Sequence, residues 1–394
     1  MSTADGALLA FVSLVLVAWT FAVVMIVRTQ RALRSLRDSP TTRADDVWPR
    51  VSVIIPALNE AETIERALRS KLAVDYPNLE VVVVNDRSTD ETGAIADRVA
   101  REDPRVRVVH ITELPDGWLG KVHALHRGAL AATGSLLVFS DADVHFESTA
   151  LRRAVRALED GGYGFLTVLP QFERVGILVD ACVVSFARIV ASGLRLWEAE
   201  DPNSRHAVGV GAFSMVARDA LFATQGFEWL RVEVADDVAL AMVVKQSGVR
   251  CGVRDGRGFV SLAFYPSTID MVRAIEKQGF AILGRFSLLR TVLVSTLPLP
   301  LEWSVVVALW PDVPLVVRAV ALAAVAMQLV VAAAAARFSG LSYASSLLTP
   351  IATSILAFAM VRSGVLGFVK GSVRWRGTLY KTETLRAGQR VFFP

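Results

Sequence analysis

The segment SLLVFSDADVHF, residues 135–146, decides the fold. A short apolar run stops at two aspartates, Asp141 and Asp143, and His145 follows two positions later. Runs of this length bounded by turn residues read as strands buried on both faces. Three more precede it: RVSVIIPALNE (50–60), LEVVVVNDRSTDET (79–92) and VRVVHI (106–111). Between them EAETIERALRSKL (60–72) has helical spacing, and further helices are expected up to about residue 101, near 121–132 and near 148–158. Strands alternating with helices predict parallel βαβ units, whose ligands collect beyond the carboxyl ends of the strands. The polar residues Asn59, Glu60, Asp86, Asp141 and Asp143 all fall at such ends.

Outward from this zone the composition changes. The 394 residues are 53% hydrophobic, with a mean hydropathy of +0.45, and the excess sits at the two ends. Residues 7–27 carry no charge, enough to cross an apolar layer about 30 Å thick. Asp5 precedes this run, and Arg28, Arg31, Arg34 and Arg37 follow it. The positive-inside rule then predicts an uncleaved anchor with its N-terminus outside and the rest of the zone in the cytoplasm. Four zones are expected: an anchor with a basic linker (1–49), a cytoplasmic α/β domain (50–286), a membrane region of two or three spans (287–369) and a basic cytoplasmic tail (370–394). The spans at 313–336 and 343–368 are clean. Residues 287–311 are broken by LPLPLEW and carry Arg290 and Glu302, which favours a re-entrant or interfacial element.

The net charge of +4 is small, and its basic residues cluster beside the membrane, where they suit anionic lipid head groups. No basic stripe is interleaved with aromatics, so nucleic acid is not an expected partner. Two distant cysteines, Cys182 and Cys251, argue against a disulfide framework or a zinc site.

In an extended segment residues i and i+2 point the same way, so Asp141 and Asp143 can aim at one divalent cation, or Asp143 at a cation and Asp141 at a ribose. Such a cation can neutralise a nucleoside diphosphate as it leaves. An acidic turn ahead of a helix capped by Ser148 or Thr149 needs no metal, so the motif alone decides little. Asp236 and Asp237 precede an amphipathic helix, where acids also favour the helix dipole. A second carboxylate nearby would raise the pKa of the first and help it accept a proton. His145 could add a ligand or simply pack.

The set VSVIIPALNEAETIERALRSKL (51–72), EVVVVNDRSTDET (80–92), GKVHALHRGALAATGSLLVFSDADV (120–144) and EVADDVALAMVVKQSGVR (233–250) resembles family 2 glycosyltransferases of the GT-A fold. PDGWLGKVHALHRG (115–128) and VRWRGTLY (373–380) resemble the membrane-bound branch that glycosylates lipids, including hopanoid-associated and carotenoid-type enzymes and, more distantly, ceramide glucosyltransferase. The resemblance implies a Rossmann-like, mainly parallel sheet with flanking helices, joined to transmembrane helices at both ends. It implies an inverting, metal-dependent hexosyltransferase using Mg2+ or Mn2+, a nucleotide-sugar donor (a UDP-sugar favoured) and a lipid acceptor from the bilayer.

By the same resemblance Pro56, Ala57, Asn59 and Glu60 line the nucleoside pocket, Asp86 accepts from the base and Asp90 supports the loop. Lys121 meets a phosphate, Asp143 and Asp141 hold the metal, and Gly209 and Gly211 let backbone approach the sugar. Asp237 is the base. Asp236 stands where the family usually has Glu, which puts its supporting contact in doubt. Arg374 and Trp375 correspond to the end of a Q-x-x-R-W segment, although Gly371 replaces the glutamine. A polyprenyl-phosphate glycosyltransferase, a polysaccharide synthase, a nucleotidyltransferase and a non-catalytic nucleotide-binding scaffold are the alternatives.

Overall fold

The structure, a computed structural model, describes residues 2–43, 46–193 and 195–391. The last three residues of the basic tail zone lie outside the described residues. Two compact units are present, and they cut across the zones drawn from composition. One comprises Leu33–Gln171, Leu196–Ala263 and Arg374–Pro394; the other Met1–Ala32, Phe172–Arg195 and Phe264–Val373.

The first unit is built on an eight-stranded sheet. In spatial order its strands are Arg34–Ser35, Cys251–Asp255, Phe165–Leu169, Ser214–Ala217, Leu136–Phe139, Val51–Ala57, Leu79–Asp86 and Val106–Ile111. All neighbours pair parallel except Ser214–Ala217, which runs against both of its partners. This is the mixed, mainly parallel sheet with flanking helices expected from the sequence. Every residue of Val51–Ala57 and Leu79–Asp86 is buried, because helices cover both faces, and this is why these strands read as unbroken apolar runs. The crossover helices Ile64–Leu72, Thr92–Glu102 and Gly120–Ala131 return the chain each time to the end of the sheet where the parallel strands begin. The antiparallel strand has a positional consequence. Its approach, residues 207–213, arrives at the end of the sheet where the parallel strands finish.

The second unit is helical. Among the described residues four helices are long and apolar enough to cross a membrane: Thr3–Ala32, Leu288–Leu309, Leu315–Ser339 and Tyr343–Lys370. Leu288–Leu309 is divided into Leu288–Thr296, Leu299–Glu302 and Ser304–Leu309. Pro298 and Pro300 lack the N–H that a continuous helix needs. Small residues such as Ala324, Ala332, Ala335 and Ala336 are buried where helices meet, so backbones approach closely. The helices 315–339 and 349–370 both stop at a left-handed glycine, Gly340 (φ 74°) and Gly371 (φ 58°).

One polar node interrupts this apolar packing. Arg188, on the helix Ile177–Gly193, is paired with Glu302, and both are almost completely buried. Thr353 bonds to both members of the pair, and the amide of Gln328 donates to Glu302 Oε2 at 2.7 Å. The Arg188 guanidinium lies over the Trp19 ring at 4.8 Å. Charges at such depth persist only when paired and hydrogen-bonded.

Candidate active site

The site is assembled at the carboxyl ends of the strands. Asp141 follows the strand Leu136–Phe139, and its N–H donates to the carbonyl of Gly211 at 2.8 Å. Gly211 arrives on the antiparallel strand's approach, and a Cβ there would run into the Asp141 carboxylate. Its own N–H donates to Asp237 Oδ2 at 3.0 Å. A single glycine therefore joins the acidic turn to the acid pair that opens the helix Asp236–Gln246.

Lys121 lies at the start of the helix Gly120–Ala131, with Nζ 3.0 Å from Asp141 Oδ1 and 3.5 Å from Asp236 Oδ2. Burial works against its charge, but Asp141, Asp236 and Asp237 outweigh it and push its pKa up. Burial also pushes Asp141 upward, yet the Lys121 ammonium holds its carboxyl below the ordinary range. Burial, then the charge of Asp236, drives the Asp237 carboxyl up to about 6, and Asp236 is raised as well. Lys121, Ser140, Asp141, Gly211, Asp236 and Asp237 line a cleft of about 280 Å³ including its open mouth.

Asp143 and Glu60 form a second acidic group. Burial and the charge of Asp141 raise Asp143; burial and the charge of Asp143 raise Glu60. Among the described residues no three His, Cys, Asp or Glu side chains form a ready-made metal cage. The donor set still fits a hard divalent cation. Its carboxylate oxygens are the ligands that Mg2+ and Mn2+ prefer, and the mutual repulsion of Asp141, Asp143 and Glu60 is what a cation would relieve. Remaining ligands would come from phosphate and water.

The residues expected to line a nucleoside pocket are ordered by one another. Asn59 takes a left-handed φ of 55°, and its Oδ1 accepts the Thr89 N–H at 2.8 Å. Asp90 Oδ2 accepts the Ala61 N–H, and Thr92 Oγ1 accepts the Glu60 N–H. Pro56 and Ala57 are buried strand residues, so they present backbone rather than side chain to the loop. Asp86 is fully buried, with Arg87 donating to both of its carboxylate oxygens at 2.7 and 3.2 Å.

Lys71, Arg87 and Glu233 were given no role by sequence reasoning, and Arg376 was named there only as one of the tail's arginines. Lys71 is completely buried and donates to the carbonyls of Val144 and Asp141, which bracket the acidic turn from beneath. Its position on a helix rich in charges gave it the look of a surface lysine. Arg87, read as part of a turn, covers Asp86. Arg376 carries the tail's charge toward the acids, 3.9 Å from Asp86, whereas the expected Arg374 is exposed and Trp375 half-buried. Glu233, buried, ties the last described residues to the loop before Asp236. His145 opens a two-residue strand paired with Val260–Ser261, which uses its backbone.

Residues 52–177 match the family described as Glycosyl transferase family 2. The chain is 28% identical over 218 residues to the 4,4'-diaponeurosporenoate glycosyltransferase of Staphylococcus aureus (strain bovine RF122 / ET3-1), covering 55% of this chain and 56% of that protein. It is 40% identical over 124 residues to Glycosyltransferase AglD of Haloferax volcanii, covering 30% of this chain and 19% of that one. The chain thus spans about half the length of the Staphylococcus relative it matches. Among solved structures it is similar to the mannosyltransferase PcManGT from Pyrobaculum calidifontis in complex with GDP-Man and Mn2+, at 22% identity and a TM-score of 0.49, covering 91% of this chain and 99% of that one.

Proposed function

We propose that this chain is an inverting glycosyltransferase that moves a sugar from a nucleotide-sugar donor, a UDP-sugar first among candidates, to a lipid acceptor in the membrane. The observation that carries it is the Gly211 bridge: a carboxylate raised to about 6 is tied through one glycine to a metal-type acidic turn. The match of residues 52–177 to family 2 glycosyl transferases supports the reaction class. Four candidate spans, and the diaponeurosporenoate named for the Staphylococcus relative, support an apolar acceptor.

In this reading Asp237 takes the proton of the acceptor hydroxyl while that oxygen bonds the anomeric carbon. The bond from that carbon to the diphosphate oxygen breaks, and the nucleoside diphosphate leaves with the bonding pair. A raised pKa suits the base, which must hold a proton near neutral pH. Asp143 and Asp141 would hold a divalent cation, Mn2+ or Mg2+, that supplies charge neutralisation to the diphosphate. Lys121 orients Asp141 and carries a positive charge at the cleft wall. Gly211 keeps the sugar side open.

The tail informs sidedness. Residues 374–391 belong to the same compact unit as the sheet, so both lie on one side of the membrane. Parity then requires an even number of crossings between residues 264 and 373. With 315–339 and 349–370 as the crossings, the proline-broken 288–309 enters and leaves by one face. The basic residues of the tail support the cytoplasm as that side.

The test is a panel of UDP- and GDP-sugars with Mn2+ or Mg2+, total membrane lipid as acceptor, and mass analysis of the product. A lipid heavier by one sugar is the expected result. Pyrophosphate release from a nucleoside triphosphate without sugar transfer would overturn it.

A further inference from the structure

Lys71 is completely buried, although lysine is the residue least suited to an interior. On the helix Ile64–Leu72 the buried stripe is Ile64, Ala67, Leu68 and Lys71, so a charge stands where its companions are apolar. Burying an ammonium is costly unless its donors are satisfied. Here they are satisfied. Nζ donates to the carbonyl of Asp141 at 3.5 Å and to that of Val144, and it lies 5.0 Å from the centre of the Phe146 ring. All three partners belong to one stretch of six residues, the acidic turn and the short strand that follows it.

The neighbouring residue adds another tie. Ser70 Oγ accepts the Phe146 N–H at 3.3 Å and donates back to the Ala67 carbonyl of its own helix at 2.8 Å. The turn also closes on itself, with the Val144 N–H 3.4 Å from the Asp141 carbonyl. Ala142 and Val144 are buried, whereas Asp141 and Asp143, on the alternate positions, are only partly so. The end of the helix therefore grips the backbone of 141–146, and the carboxylates carried by that backbone are those of the proposed cation site.

Such a grip bears on which cation is held. Mg2+ demands near-octahedral ligands at about 2.0–2.1 Å, whereas Ca2+ accepts bonds of about 2.3–2.6 Å and irregular shells. A turn that cannot open favours the smaller ion, and a turn that yields admits the larger. The ammonium also opposes any cation by its charge. That opposition is nearly the same for Mn2+ and Ca2+, both divalent, so it cancels in the ratio of their affinities. Rigidity does not cancel.

We propose that Lys71 is a positioning residue that makes the acidic turn selective: by holding the backbone of 141–146 it favours Mn2+ or Mg2+ over Ca2+. The inference rests on the reading of Asp141 and Asp143 as cation ligands. Binding of Mn2+ to the full-length protein in detergent is followed by electron paramagnetic resonance, with and without UDP, and Ca2+ affinity by displacement of that Mn2+. Lys71→Met keeps the length of the side chain and removes the grip, and it should lower the Mn2+/Ca2+ affinity ratio about tenfold. Ser70→Ala removes one tie without touching any charge and should lower the ratio about threefold. An unchanged ratio in Lys71→Met overturns the proposal, as does a change in both affinities by one common factor, which is the signature of charge alone. Should Lys71→Met fail to fold, an unchanged ratio in Ser70→Ala overturns it. A parent that binds no Mn2+ in either condition overturns the cation-site reading itself.

Discussion

Gly211 donates its N–H to Asp237 Oδ2 at 3.0 Å while its carbonyl receives the N–H of Asp141, so the acid pair and the acidic turn share one backbone unit. Gly211→Ala puts a methyl group against the Asp141 carboxylate. Sugar transfer is expected to fall by roughly tenfold or more, as small displacements of reacting groups do. Thermal unfolding should change little. Transfer at the parental rate would separate Gly211 from the chemistry.

Asp237 should set the acid limb of the rate profile. Its pKa is shifted upward, so the proton-accepting form fills only as pH rises through about 6. The value of kcat/KM is expected to drop about tenfold per pH unit below 6 and to level off above it. Asp237→Asn should lose roughly 10²-fold or more and show no such limb. A limb unchanged in that variant assigns it to another group.

Metal removal is expected to stop transfer. A chelator should abolish activity, and Mn2+ or Mg2+ should restore it. Asp143→Asn should raise the metal concentration needed for half activity by about tenfold, since one charged ligand is lost. Full activity in chelator, with the protein intact, would exclude a metal role for the Asp141–Asp143 turn.

The Arg188–Glu302 pair gives a stability prediction. Glu302→Ala leaves a buried guanidinium without its counter-ion and should destabilise the helical unit by about 3–5 kcal/mol. Replacing Arg188 and Glu302 together with methionine should cost much less. Thermal unfolding in detergent reads both. Equal stability of Glu302→Ala and parent would mean the pair is not needed.

Sidedness is tested by single cysteines. Cys182 and Cys251 are buried, so an impermeant maleimide on intact cells reports only the introduced thiol. Tyr343→Cys should label from outside and Asp312→Cys should not. The reverse pattern would make 288–309 a full crossing.

The strands were legible because sheets covered on both faces demand unbroken apolar runs, and the acids because each stands where such a run stops. Lys71 was not, since RSKLAVDY carries nothing that distinguishes a lysine aimed at two carbonyls from one in water. The tail's arginines could not be ranked, and the choice of Arg374 over Arg376 has a related reason. Which residue reaches inward depends on a turn conformation and on docking against Asp86, 290 positions earlier. Arg188 and Glu302, 114 residues apart, each looked like an isolated charge in apolar sequence until the fold paired them.

The C-terminal part of the sheet unit also bears on biosynthesis. The sheet unit is completed by residues made after every apolar helix has left the ribosome. Until then the Glu233 carboxylate lacks two of its three N–H partners. Nascent chains therefore complete the Glu233 contacts beside Asp236 and Asp237 only after the four long apolar helices among the described residues have been synthesised.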